Sequence, residues 1–199
     1  MRVMPAVMLF LLVAATAVES QVRNAELGYS LTLPEGFTDF PAARSQKDIV
    51  DSWSEATPVS AGGPLMLLVA RMHGTLSREA MRQEDVPANT QVVSFKWKGF
   101  DVSGLKTLTT QAGQSVFVLV AQVPLRKEAV QLSVAGPADQ EGRGHAIMEA
   151  TLASLEGETN WLTSSERAGR LGRAAGVWIG IAVAAIAILA WRKRRARAA

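Results

Sequence analysis

Ala174 to Trp191 (AAGVWIGIAVAAIAILAW) is a run of eighteen uncharged residues, and it constrains this chain more than any other feature. A globular helix keeps a polar face unless it is wholly interior, and this stretch has none. At about 1.5 Å per residue it spans about 27 Å, close to the ~30 Å core of a bilayer. Arg173 and Arg192 flank it and can snorkel. Trp178 and Trp191 lie near its ends, where indole prefers the membrane interface. A buried soluble helix is the alternative; the pattern favours a transmembrane helix over 174–191. Arg192, Lys193, Arg194, Arg195 and Arg197 follow at once. Beside a span, such a run is a stop-transfer signal that meets anionic headgroups, each basic residue contributing on the order of 1 kcal/mol. Reading it as a nuclear-localisation or RNA-binding run fits the residue types but not the position.

The other end is also apolar. Met1-Arg2 precedes Val3–Val18, interrupted only by Pro5 and Thr16. One positive charge, a short apolar core and small residues at Ala15 and Ala17 predict a signal peptide over 1–20, cleaved after Ala17 or Ser20. A retained anchor helix is the alternative. Five basic residues after the later span, against Arg167, Arg170 and Arg173 before it, orient the domain outside and the tail 192–199 in the cytoplasm.

The pI near 9.6 invites a nucleic-acid reading. The distribution of charge removes it. Residues 21–160 hold 12 Lys/Arg against 16 Asp/Glu, a net −4, whereas residues 161–199 hold 8 Lys/Arg against Glu166 alone, a net +7. A duplex-binding domain should itself be basic. The chain has no cysteine, which excludes disulfides, Cys-ligated metal sites and a Cys nucleophile. It also has no Asn-x-Ser/Thr site, compatible with a bacterial envelope.

Residues 21–157 form the expected extracytoplasmic domain, with 158–173 as linker. Tyr29, Leu31 and Leu33 alternate with polar residues as on a half-buried strand, and Pro34-Glu35-Gly36 breaks it. Asp48–Glu55 and Leu65–Met72 read as strands. Ser77–Gln83 reads as a short helix with Ser77 as N-cap. Phe95 and Trp97 face in while Lys96 and Lys98 face out. Turns at Lys98-Gly99 and Ala112-Gly113 frame strands over 100–110 and 115–123, the latter central as the most apolar. Val130, Leu132 and Val134 alternate with Gln131 and Ser133, predicting one wet face. Residues 140–155 form the main helix, with Gly157 as its stop. The sum is an α+β domain: a central antiparallel sheet flanked by helices, as in an α/β/α sandwich, plus one C-terminal transmembrane helix.

Leu27–Phe40 (LGYSLTLPEGFTDF) and Val123–Pro137 (VPLRKEAVQLSVAGP) with the helix after them resemble the opening and closing elements of PsbP-like domains. The resemblance covers about residues 25–157 and implies the sandwich just described. Family members are extracytoplasmic accessory proteins or domains of unknown function. Plant members assist photosynthetic oxygen evolution in the lumen and lack this C-terminal anchor. None of their functional residues matches a position here, so no site carries over.

Catalytic signatures are sparse. His145 and Glu149 lie at i and i+4, where one helix face could offer both to a metal, or where they form an ordinary surface pair. Gly142-Arg143-Gly144-His145 precedes the helix as a partial phosphate loop or a plain flexible one. Trp53, Phe95 and Trp97 either line an apolar groove or fill the core. There is no nucleophile elbow and no Walker loop. No catalytic residue, cofactor or metal ligand is assigned, and the chain is not read as an enzyme. The expected function is a single-pass, membrane-anchored binding or accessory protein whose partners are the bilayer and an unidentified envelope protein, not nucleic acid. Two alternatives stand beside it: a membrane-tethered hydrolase or metal-dependent enzyme, and an envelope assembly or quality-control factor.

Gly172, Gly176, Gly180 and Ala184 recur every four residues and make a small-residue stripe on the span, a candidate face for homodimerisation. Gly180→Ile should weaken self-association in a membrane two-hybrid assay; an unchanged signal would remove the idea.

Overall fold

A computed structural model of the chain describes residues 20–161, residue 112 excepted. Residues 1–19 of the expected signal peptide (1–20), the expected span 174–191, the basic run after it and the stripe Gly172, Gly176, Gly180 and Ala184 lie outside the described residues. Among the described residues, no helix is long and apolar enough to cross a membrane.

The chain runs through β1 (Gln21–Asn24), β2 (Tyr29–Thr32), β3 (Phe37–Asp39), β4 (Ile49–Glu55), β5 (Met66–Arg71), β6 (Thr90–Trp97), β7 (Phe100–Gln111), β8 (Gln114–Val123), β9 (Val130–Pro137), α1 (Glu141–Ser154) and β10 (Glu156–Gly157). Seven strands form one antiparallel sheet in the order β3-β4-β5-β9-β8-β7-β6, and three form a small one in the order β1-β2-β10. The β6–β7 hairpin closes through Lys98 (φ 48°) and Gly99 (φ 78°), both left-handed, as a two-residue turn of matching twist requires.

Alternation divides the large sheet into two unlike faces. Trp53, Leu67, Val69, Leu132, Phe117, Leu119, Phe95 and Trp97 point inward and are buried. Each such side chain contributes about 1.5–3 kcal/mol, and a chain without cysteine depends on this set. Helix α1 and the small sheet together cover this inner face. Ile147, Met148, Thr151 and Leu152 of α1 are buried against it. The Trp97 indole N–H donates to the Leu155 carbonyl at 2.9 Å, and the Thr32 amide donates to Ser154 Oγ at 3.2 Å. At the start of α1, Arg143 pairs with Glu55, whose side chain is only 3% exposed and also accepts the Leu65 amide at 2.9 Å. One ion pair thus joins the helix to β4.

Several expectations are corrected. The sheet is central and antiparallel, but one α-helix on one face, not helices on both, accompanies it among the described residues. Ser77–Gln83 is not a helix; a 3-10 turn over Gln83–Asp85 follows it. Only Met81 of that stretch is half-buried, so it has no apolar face to dock, and seven residues cannot hold a helix without one. Its polar groups serve the sheet instead: the Gln83 side chain donates to the Thr90 carbonyl at 2.7 Å and accepts from the Val92 amide at 2.8 Å. β9, not β8, holds the middle position, and Ser133 on its expected wet face is buried between Leu68 and Val120. Gly157 does not stop the helix; it pairs with Tyr29 in β10, where a Cβ would lie 2.7 Å from Leu125. Gly142 and Gly144 lie inside α1, not in a loop before it. The packed chain continues past 157: Thr159 Oγ1 donates to the Pro124 carbonyl at 2.6 Å, and the Trp161 indole N–H donates to Leu76 at 2.9 Å.

Gly144 is where the helix meets the sheet. A Cβ there would sit 2.3 Å from the Phe117 ring, whereas at Gly142 it would meet nothing within 4 Å. Gly144→Ala should therefore destabilise the domain by about 1–3 kcal/mol through overpacking. Gly142→Ala should stabilise it by about 0.5 kcal/mol through helix propensity. Denaturant titration of both variants checks the contrast.

Candidate functional site

The outward face of the large sheet is unusual in what it lacks. An antiparallel sheet with one face on the core commonly turns polar residues to water on the other. Here the register sets Ser52, Leu68, Ser133, Val120, Leu105 and Val92 side by side across β4, β5, β9, β8, β7 and β6. The next row holds Ser54, Met66, Ala135, Val118, Thr107 and Thr90. None of these residues is charged. Met66, Leu68, Leu105, Val118 and Val120 are half-buried, while the residues alternating with them on β5 and β8 are fully buried. Helix α1, the one α-helix among the described residues, lies on the inner face. Other segments reach the rim: Ser52 Oγ donates to the Phe40 carbonyl at 2.7 Å, and the Met81 amide donates to Ser103 Oγ at 3.2 Å.

A polar cluster braces one end of the sheet. Asp48 and His73, just outside β4 and β5, both adopt left-handed backbone (φ 69° and 48°), a conformation that costs on the order of 1 kcal/mol for a non-glycine residue. Their side chains meet, His73 Nε2 lying 2.7 Å from Asp48 Oδ1. His73 Nδ1 lies 3.5 Å from Glu128, and Arg71 joins Glu128 and Glu26. The hydrogen bond with His73 holds the Asp48 carboxyl below its ordinary range. The bond to Glu26 holds the Arg71 guanidinium above its own. The three carboxylates are thus paired with cationic or donor groups, which makes the cluster a cross-brace rather than an acid/base pair. Beneath it, the Tyr29 hydroxyl donates to Asp51, which also accepts from Asn24 Nδ2 at 2.9 Å. Burial, then the Asp51 bond, push the Tyr29 hydroxyl pKa up.

The residues weighed for chemistry fall elsewhere. His145 Nδ1 lies 3.6 Å from Glu149 Oε1, but both are solvent-exposed and the imidazole rests on Phe95 with centroids 5.2 Å apart. Among the described residues, no three His, Asp or Glu side chains gather as a metal would need. Trp53, Phe95 and Trp97 are core. The sheet face and the Asp48–His73 brace escaped sequence reasoning. The valines of β8 were visible as an apolar run, but a continuous run does not say which of its faces stays uncovered.

No protein-family model matches the chain, and no curated protein matches it. Solved structures similar to it include the Ran-binding protein Mog1p of Saccharomyces cerevisiae, 11% identical, spanning 72% of this chain and 97% of that one at a TM-score of 0.48. LpqN of Mycobacterium tuberculosis, described as involved in cell envelope biogenesis, is 11% identical over 71% of this chain and 86% of its own, at 0.44. A cyanobacterial PsbP from Synechocystis is 8% identical over 74% and 98%, at 0.43. The functional reading rests on this chain's own surfaces.

Because the partner lowers it, the Asp48 pKa should rise when His73 is removed. In His73→Ala the carboxyl should titrate at higher pH by carboxyl-detected NMR; an unmoved titration would show that the contact does not exist in solution. Asp48's contribution to stability is present above its ordinary value near ~3.9 and lost as pH falls through the lowered one.

Proposed function

We propose that the chain is a single-pass, membrane-anchored binding protein whose extracytoplasmic domain takes an envelope protein on the outer face of the seven-stranded sheet. The observation that carries this reading is the charge-free aliphatic surface formed by Leu68, Val120, Leu105, Val92, Met66 and Val118. A partly exposed apolar patch of a few hundred Å² is often functional. Its size argues for a tethered partner. Strands about 4.8 Å apart and rows about 7 Å apart give a footprint of roughly 300–400 Å². Two free copies meeting on it would bury roughly 700 Å², short of the ~1,200 Å² at the lower end of stable interfaces. Confinement on one membrane raises effective concentration toward the millimolar range and makes a small face sufficient. The sequence features at 174–191 and 192–197 support that confinement.

The same face supports a second reading, in which it holds unfolded chains during envelope assembly or quality control. A tethered hydrolase draws less support, since the clustered carboxylates Asp48, Glu128, Glu26 and Glu55 are each bound to His73, Arg71 or Arg143.

A photo-crosslinking residue placed at Val120 in the intact chain should capture one defined partner, and one placed at Glu149 on α1 should not. Leu68→Lys should lower capture at least tenfold while the melting temperature moves by only a few degrees. A ladder of many adducts would favour the unfolded-chain reading. Equal capture from both positions would defeat the surface assignment.

A further inference from the structure

The geometry points to a second contact: the groove between the small sheet and the Lys98–Gly99 turn rests on anionic lipid headgroups. This inference rests on the anchored reading above. The groove encloses about 700 Å³ and is bordered by Arg23, Lys98, Arg126 and Lys127, with Glu156 and Glu158 on its rim.

Charge distribution is the first argument. The groove carries four basic residues against two carboxylates, while the rest of residues 21–160 carries eight Lys/Arg against fourteen Asp/Glu. The groove is thus net positive while the remainder of the domain is net negative. Its cations are exchangeable. Lys98–Glu156 (2.6 Å) and Arg126–Glu158 (2.8 Å) are surface pairs, with both glutamates more than two-thirds exposed, and such pairs hold weakly against a competing phosphate. Lys127 Nζ donates only to the backbone carbonyls of Ala25 and Glu26. The exposed Glu26 lies nearby but is held by Arg71.

The path of the chain is the second argument. The Arg126 amide donates to the Glu158 carbonyl at 2.7 Å and Thr159 bonds the Pro124 carbonyl, while Trp161 bonds Leu76 and packs edge-on against Phe100, which follows the Lys98–Gly99 turn. The described chain thus ends next to the groove. Twelve residues, 162–173, separate it from the span at 174–191. They reach at most about 40 Å. A domain of this size is itself roughly 37 Å across. The groove therefore lies at the tethered end of the domain, with the bilayer within the linker's reach. There, each basic side chain raises affinity for an anionic surface about fivefold.

The test uses the full chain in vesicles, and the absence of native cysteine allows single labels. A fluorophore is placed at Ala25→Cys, beside the groove, or at Val59→Cys, a 71% exposed site in the β4–β5 connection at the other end of the sheet. With headgroup-quencher lipids in 30% phosphatidylglycerol vesicles, quenching at A25C should exceed that at V59C at least threefold. The ratio should fall toward one in pure phosphatidylcholine, in 0.5 M salt, and in R23Q/K98Q/R126Q/K127Q. The salt arm uses the parent chain and so keeps the test decisive if the quadruple variant fails to fold. Equal quenching at both sites, or a ratio indifferent to lipid charge and salt, overturns the inference while leaving the anchor intact. A chain that does not float with the vesicles, or that carbonate releases, overturns the anchor and this inference together.

Discussion

Helix α1 reaches the sheet because residue 144 has no side chain to keep it away. The Phe117 ring occupies the volume a Cβ would need. From that close approach follow the burial of Met148 and Leu152, the bond from Trp97 to Leu155 and the docking of Ser154 on β2. Arg143, one residue earlier, reaches Glu55 from the same turn. With no disulfide to restrain the unfolded chain, this one-sided packing must supply the stability of the domain.

One-sided packing has a functional consequence. The helix and the small sheet are both committed to the inner face, and Phe40, Met81 and Gln83 reach part of the outer one, whose aliphatic side chains stay half-buried. A strand set such as Val116, Val118 and Val120 suits a covered sheet. Keeping it half-exposed and charge-free costs solubility without helping the core, which is why a partner surface accounts for it better than packing does. The proposed binding face and the polar end are thus distinct parts of the sheet. One offers apolar area; the other, through Asp48, His73, Arg71 and Glu128, holds strand ends together.

Much of the β architecture was readable because its signals are local. Alternation at Tyr29–Leu33, the breaker at Pro34–Gly36, and the Lys98-Gly99 turn each depend on neighbouring residues. The misreadings share one cause. Ser77–Gln83 has helical composition but no surface to dock on. Gly157 looks like a helix stop, yet it is needed where β10 passes Leu125. Ser133 reads as solvent-facing, yet its neighbours across β5 and β8 bury it. In each case the deciding contact comes from residues distant in the chain.

The sequence by itself determined the segmentation of charge and hydropathy: an apolar run over 3–18, an acidic stretch over 21–160, an apolar run over 174–191 and a basic run after it. Charge and hydropathy act locally and need no fold to be read. It also determined the strand-rich content and the single main helix, because residue periodicity records them. Only the tertiary structure decided which side of the sheet the helix covers, which face stays open, that Asp48 meets His73, and that Arg23, Lys98, Arg126 and Lys127 share one groove. Those pairings join residues from 25 to more than 100 positions apart, and no local pattern encodes such a distance; the packing of Phe117 beneath Gly144 and the register of β5, β9 and β8 set it.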